Sequence, residues 1–364
     1  MTEDIKKIRD KIDSLDNELL ELLNKRAKQA VSISKEKQKS KGSDNFYNPE
    51  REAQVIRRIK KLNKGPLSED NICRIYREIM SACLSLEAPL KVSYLGPEGT
   101  YTQLAAQNHF GSSVLSMPYS DVEEVFCSVE KRDTHYGVVP VENSTQGIVA
   151  STLDMFMRSN LRISGEIEIS INHNILSKSN NLNEIKKIYA HPQSFSQCKE
   201  WLDKNLPKSE KINSSSNAEA ALISSKENNS AAIASTVAAE IYQLQTLSKN
   251  IEDNRNNSTR FLVIGERDTE PSGNDKTSII VSAKNNSGAL YSLLEPLSKN
   301  NVSMTRIESR PSKHNNWEYI FYLDLIGHIK DKSLEKANED IKREASLYRF
   351  LGSYPAAVNT KNVK

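Results

Sequence analysis

Two groups of residues have the types and spacing to do chemistry. The first is Asn256-Asn257-Ser258-Thr259-Arg260-Phe261, a polar turn leading into the apolar run Phe261-Leu262-Val263-Ile264-Gly265. It sets a hydroxyl and a guanidinium at the mouth of a strand, where α/β proteins hold ligands. The second is a set of charges interrupting apolar helical stripes in the first ninety residues. Steps of three and four from Leu15, Leu19 and Leu22 land on Arg26, then Ala30, Ile33 and Lys37, while Arg9 lies between Ile5 and Ile12 at the same edge. A later stripe runs through Ile72, Ile75/Tyr76, Ile79 and Cys83 to Glu87, and Arg51 and Glu52 stand one turn before Val55 and Ile56. A core-facing charge is costly unless paired, so several inward basic residues imply an anionic ligand.

The composition suits a multidomain globular chain: 364 residues, 27% charged and 37% hydrophobic. A net charge of +3 is too small to argue for nucleic acid or a membrane surface. No apolar run approaches the length of a membrane span. Cys73, Cys83, Cys127 and Cys198 form no CxxC pair, which points to reduced thiols and no metal. The charged N-terminus lacks the apolar core of a signal peptide. A cytoplasmic location is the expectation.

Three helices must position the first set of charges. Periodicity predicts one from residue 4 to about 40, roughly 55 Å long at 1.5 Å per residue. A second covers about 49–62, and a third runs from the capping residue Ser68 to Leu86. Two short helices cannot cover the stripe of the long one, so a dimer in which the long helices pack together is expected. After the linker Ala88-Pro89-Leu90 the pattern changes to strands ending in polar clusters. Lys91–Leu95 leads into Gly96-Pro97-Glu98-Gly99-Thr100-Tyr101-Thr102, and Tyr136–Val141 into Glu142-Asn143-Ser144-Thr145-Gln146-Gly147. The nucleotide signatures GxGxxG and GxxxxGK[ST] are absent from these turns. A second lobe between about 170 and 250 carries His191-Pro192-Gln193, and the chain then returns to the Thr259 stretch. Two lobes with a crossing chain predict a cleft that closes on a small ligand. His191, preceding a proline in a turn, reads as structural.

Ile8-Arg9-(x)3-Asp13-(x)2-Asp16, Leu22-Leu23-(x)2-Arg26, Lys35-(x)-Lys37 and Asn48-Pro49-(x)-Arg51-Glu52 resemble the all-helical chorismate mutases, intertwined homodimers that rearrange chorismate to prephenate. The resemblance implies that Arg26 and Arg51, with Arg9 from the other chain, hold the two carboxylates. It implies that Lys37 and Glu87 bond the ether oxygen and that Glu52 takes the substrate hydroxyl. Asn48 replaces a usual aspartate, and Cys83 a serine found in some members.

Gly96–Thr102, Pro140-Val-Glu-Asn-Ser-(x)2-Gly147, His191-Pro-Gln with Gln197, and Ser258-Thr-Arg-Phe261 resemble the prephenate dehydratases, whose fold is that of two-lobed periplasmic binding proteins. The resemblance implies that Thr259 assists departure of the ring hydroxyl, either donating the proton or orienting another donor such as Glu142. Arg260 and Phe261 would shape the pocket, and Glu142, Asn143 and Gln197 would line it.

From residue 276 the order strand–helix–strand–strand–helix–strand is the ferredoxin-like split motif. Gly288-Ala289-Leu290 and Glu308-Ser309-Arg310-Pro311 resemble the phenylalanine-binding segments of the ACT regulatory domain. Together the resemblances imply a bifunctional chorismate mutase–prephenate dehydratase with no cofactor, inhibited by phenylalanine. The domains would be an all-α mutase bundle (1–88), an α/β two-lobed periplasmic-binding-protein-like dehydratase (91–267) and an α+β ferredoxin-like ACT domain (276–356). A homodimer through the N-terminal helices and the ACT domains is expected. The competing class is a small-molecule sensor with the same cleft but no catalysis.

Overall fold

Asn48 and Ser68 begin two of the three N-terminal helices by accepting hydrogen bonds from the backbone N–H groups of Arg51 and Asn71. In this computed structural model, residues 3–39, 47–254, 256–283, 287–311 and 319–357 are described, without the side chains of residues 37–39. Helix α1 spans Glu3–Lys39, α2 Pro49–Leu62 and α3 Glu69–Ser85. The C-terminal half of α1 packs on α3 and buries Ser34. Its N-terminal half leaves Ile8, Leu15 and Leu22 58–62% exposed, so within one chain the stripe has no cover.

The next region is two α/β lobes. In the first, β1 (Lys91–Leu95), α4 (Tyr101–Phe110), β2 (Leu115–Tyr119), α5 (Val122–Glu130), β3 (Tyr136–Asn143), β4 (Gly147–Ile148), α6 (Ala150–Arg158) and β5 (Arg162–Ser170) follow in order. The chain crosses to the second lobe, which holds β6 (Asn174–Ser177), β7 (Lys187–Ala190), α7 (Pro192–Gln197), α8 (Lys199–Asn205), β8 (Glu210–Asn213), α9 (Asn217–Ser224), β9 (Ser230–Ala234), α10 (Thr236–Ile241) and β10 (Gln245–Ser248). It then returns as β11 (Ser258–Gly265), which inserts between β3 and β5 to give the order β2-β1-β3-β11-β5. The second sheet runs β10-β6-β9-β7-β8. The Thr259 stretch, expected as a turn before a strand, is itself the start of a central strand.

The last region contains β12 (Asp275–Ala283), α11 (Ala289–Lys299), β13 (Met304–Pro311), β14 (Tyr319–Ile326), α12 (Lys332–Glu344) and β15 (Ala345–Pro355) in the antiparallel order β13-β14-β12-β15. This is the split βαββαβ arrangement. One sheet face buries Ile279, Val281 and Leu323 under α11 and α12. The other places Ile280, Ile320, Tyr322 and Tyr354 in the same core as Val139, Phe156 and Leu262 of the first lobe. The two regions therefore share one core.

The helical bundle also docks on the segment leading into β12 and on the first lobe. Arg57 donates to the backbone oxygens of Ser272 (3.1 Å) and Asn274 (2.7 Å), and Glu78 accepts from the N–H of Ser112 at 3.1 Å. Gly111, with φ +78°, makes the close approach possible, because a Cβ there would fall 2.4 Å from that of Ser81.

Candidate active site

A cleft of about 370 Å³ lies between the lobes. Its walls include Thr100, His191, Ser216 and Ser235, the N-caps of α4, α7, α9 and α10. Helix N-termini present partial positive charge and free N–H groups. Among the described residues the lining carries no Asp, Glu, Lys or Arg. The cleft thus offers an anion dipoles and neutral donors instead of ion pairs.

Thr259 and Phe261 face this cleft together with Asn143 and Pro140 of the neighbouring strand. Asn143 Oδ1 accepts from the N–H groups of Thr145 (3.0 Å) and Gln146 (3.1 Å). That fixes the amide so that its Nδ2 donates to Thr259 Oγ1 at 2.7 Å. That bond leaves the Thr259 hydroxyl's own proton available to an acceptor in the cleft. From the second lobe, Gln197 Oε1 bonds His173 Nε2 at 2.8 Å, and its buried Nε2 has no partner. Burial lowers the pKa of His173, against the smaller opposing effects of Gln197 and Glu252. His191 caps α7 by accepting from the Gln193 N–H at 3.3 Å, the structural role expected for it.

Two expected lining residues are elsewhere, and both expectations are corrected. Arg260 follows strand alternation onto the opposite sheet face, where it pairs with Glu166 and Asp324 and donates to Tyr354 Oη at 3.0 Å. Burial alone would lower its pKa, but Tyr354, Asp324 and Glu166 outweigh burial and raise it. Glu142 is displaced by a bulge: Arg260 pairs with Glu142 but Phe261 pairs with Pro140, leaving Val141 extra. Glu142 therefore turns from the cleft and pairs with Arg306 of β13 at 2.9 Å. It cannot be the proton donor for a ligand beside Thr259.

In the helical bundle, Arg26 is half-buried while Arg9 and Arg51 are exposed. Arg9 and Arg26 are separated by about 25 Å of continuous helix, so one chain cannot bring them to one ligand. Glu87 is half-buried just past α3, and the side chain of Lys37 lies outside the described residues. Glu52 departs from expectation and is corrected: its carboxyl turns toward the first lobe, beside Tyr47, Arg77 and His109. Burial raises its pKa to about 7, against the opposing charge of Arg77. Burial and Arg77 also hold His109 down at about 3, so this joint contains a neutral imidazole bonded to Tyr47 Oη at 3.0 Å.

The Glu52 shift has a stability consequence. The unfolded carboxyl ionises near about 4.3, while the folded one keeps its proton to about 7. The unfolded state then binds fewer protons across that window, so the shift erodes stability as pH rises from about 4.3 to 7. Glu52→Gln should melt higher than the parent at pH 8, with the gap closing toward pH 4. A constant gap in thermal melts would remove Glu52 as the cause.

Gly288 starts α11 at φ +78° with nothing within 4 Å of a Cβ, and Ala289 and Leu290 follow at the surface. On β13, consecutive side chains point to opposite faces. Arg310 is drawn to the dehydratase side, donating to Ala150 O (2.9 Å) and pairing with Asp154 (3.2 Å), and Glu308 lies on that same side. Ser309 and Pro311 are exposed. Glu308 and Arg310 thus face the dehydratase side, while Ser309 and Pro311 stay at the surface.

Fold and site define a multidomain enzyme: a helical bundle of charge-interrupted stripes, a two-lobed cleft with a hydrogen-bonded hydroxyl, and a βαββαβ module. Residues 8–88 match the family chorismate mutase type II, and residues 92–269 match prephenate dehydratase. The chain is 48% identical to the bifunctional chorismate mutase/prephenate dehydratase of Pseudomonas aeruginosa, over 97% of this chain and 98% of that one. It is 45% identical to the protein of that name from Aquifex aeolicus, over 98% and 99%. A crystal structure of prephenate dehydratase from Arthrobacter aurescens in complex with L-Phe superposes with a TM-score of 0.68 at 30% identity, covering 73% of this chain and 90% of that one. The chain belongs to the bifunctional chorismate mutase/prephenate dehydratase family. Among the described residues no helix is long and apolar enough to cross a membrane.

Proposed function

We propose that this enzyme rearranges chorismate to prephenate in the helical bundle and converts prephenate to phenylpyruvate in the cleft, with phenylalanine inhibiting through the C-terminal module. The observation that carries the second step is the Asn143–Thr259 hydrogen bond, which holds a hydroxyl with a proton to give in a cleft of neutral donors. Prephenate carries two carboxylates. One is held by helix N-termini, while the ring carboxylate leaves as carbon dioxide. Its electron pair enters the ring, the ring aromatises, and the C–O bond breaks with its pair on oxygen. Thr259 donates a hydrogen bond to that departing oxygen, Gln197 offers its unpaired amide N–H, and Phe261 packs on the ring.

The mutase step needs no nucleophile, only a compact substrate conformer and a preorganised field. Arg26 and Arg51 hold the carboxylates, Lys37 and Glu87 face the ether oxygen, and Arg9 comes from a second chain. The 25 Å between Arg9 and Arg26 and the uncovered α1 stripe both support a dimer through these helices. We take residues 1–88, 91–267 and 276–356 as the three domains and the cytoplasm as their location. The single assay that tests the reading follows chorismate to phenylpyruvate. Accumulation of prephenate would remove the cleft from the reaction.

In this reading phenylalanine binds at the start of α11, which the open space at Gly288 supports: nothing lies within 4 Å of a Cβ there. Gly288→Val should leave both uninhibited rates near the parent's and raise the phenylalanine needed for half inhibition by roughly tenfold or more, about 1.4 kcal/mol. Unchanged inhibition would put the effector at another site.

A further inference from the structure

Asn257 immediately precedes β11, is 4% exposed and lines the cleft two residues before Thr259. Its Oδ1 accepts from Asn143 Nδ2 (3.1 Å), Thr145 Oγ1 (3.2 Å) and Ser144 Oγ (3.4 Å). Its Nδ2 is buried with no hydrogen-bond partner. The orientation of this amide is determined by its surroundings. Two backbone N–H groups fix Asn143 Oδ1 as an acceptor, so Asn143 Nδ2 is the donor and the atom of Asn257 facing it must be oxygen. A donor is left over, enclosed by its neighbours, on a residue that lines the cleft. An unpaired buried donor is costly, and beside a ligand cleft an acceptor on the ligand accounts for it.

We propose that Asn257 is a catalytic residue of the dehydration step, its Nδ2 donating a hydrogen bond to the departing ring-hydroxyl oxygen beside Thr259. The inference rests on the reading of the cleft as the prephenate site. As the carboxylate C–C bond breaks, its pair enters the ring and the C–O pair stays on oxygen. Hydroxide departs and takes its proton from solvent. Negative charge thus grows on one oxygen, and preorganised neutral donors aimed at such an atom lower the barrier. Thr259 Oγ1 and Asn257 Oδ1 are both bonded to the same Asn143 nitrogen, so the two side chains address one small region and not opposite ends of a ring. A threonine alone is a weak acid. With Glu142 on the far face of the sheet, Asn257 adds a further donor to Thr259 and Gln197 at the same oxygen.

Asn257→Asp tests this in the full-length enzyme, because it keeps shape and the oxygen that receives Asn143, Thr145 and Ser144 but removes the donor. Dehydratase kcat should fall about 10²–10³-fold at neutral pH, with KM within roughly threefold and mutase activity unchanged. As pH falls and the introduced carboxyl takes up a proton, it regains a donor and the rate should recover relative to the parent. Asn257→Ala should lose the rate at every pH. A parent-like kcat in Asn257→Asp, a loss that does not recover in acid, or a loss appearing wholly in KM would overturn the assignment. If Thr259→Ala kept full dehydratase activity, the reading of the cleft would fail instead. An inactive Thr259→Ala with a fully active Asn257→Asp would sink Asn257 alone.

Discussion

Thr259→Ala is expected to lower dehydratase kcat by about two to three orders of magnitude, the usual effect of removing one donor from a developing oxyanion. Asn143 would lose its acceptor at the same atom, but its bonds to Thr145, Gln146 and Asn257 remain, so the pocket keeps its shape. The effect should therefore fall on kcat far more than on KM. Mutase activity should stay at the parent's value, since Thr259 lies on a different domain from Arg26 and Glu87. A single assay mixture reports both rates, and the unaffected mutase serves as the folding control. Equal loss of both activities would show a structural collapse and remove Thr259 from the chemistry.

Arg260→Ala should act on stability. The guanidinium is 15% exposed, against 3% for Glu166 and 13% for Asp324. Its removal leaves Asp324 with the Ser278 hydroxyl and Glu166 with Lys276. Breaking a buried pair from one side costs about 3–5 kcal/mol. For a unit of this size that lowers the melting transition by about 10 °C. Arg260→Lys should recover little, because one ammonium cannot reach three partners set around a planar fork. Parent-like melting together with a raised KM for prephenate would return Arg260 to the cleft. The two substitutions are adjacent in sequence and opposite in effect, because a strand sends them to opposite faces.

Much of the architecture was legible in the sequence. The 3.6-residue stripes of Ile5 to Ile33 and of Ile72 to Glu87 gave α1 and α3, and the caps Asn48 and Ser68 gave two of the starts. The strand–helix order after Asp275 gave the βαββαβ module. Thr259, Phe261, Asn143 and Gln197 were placed at the cleft by motif and remain there. Less visible were the segments between 110 and 135 and between 148 and 170: β2 is an exposed edge strand holding Pro118, and β5 is buried on both faces, so neither alternates clearly.

Local pattern determined which residues are in helices and strands, since period and capping depend only on near neighbours. It did not determine which face a residue takes once register is set by another strand. Arg260 read as a loop residue because Ser258 and Thr259 look like a turn. Only insertion of β11 between β3 and β5 made that stretch a strand and turned the guanidinium away. Glu142 has the same parity as Val138 and Pro140, and one extra residue at Val141 reversed it. Glu52 looked inward from its own helix, yet the side facing Arg77 and His109 exists only because the bundle docks on the first lobe. Asn257 stood within the polar stretch without a role of its own. Its free donor appears only when Asn143, Ser144 and Thr145, more than a hundred residues earlier, occupy the oxygen. Hydrogen bonding is directional and saturable, so which atom remains unsatisfied is decided by the tertiary structure.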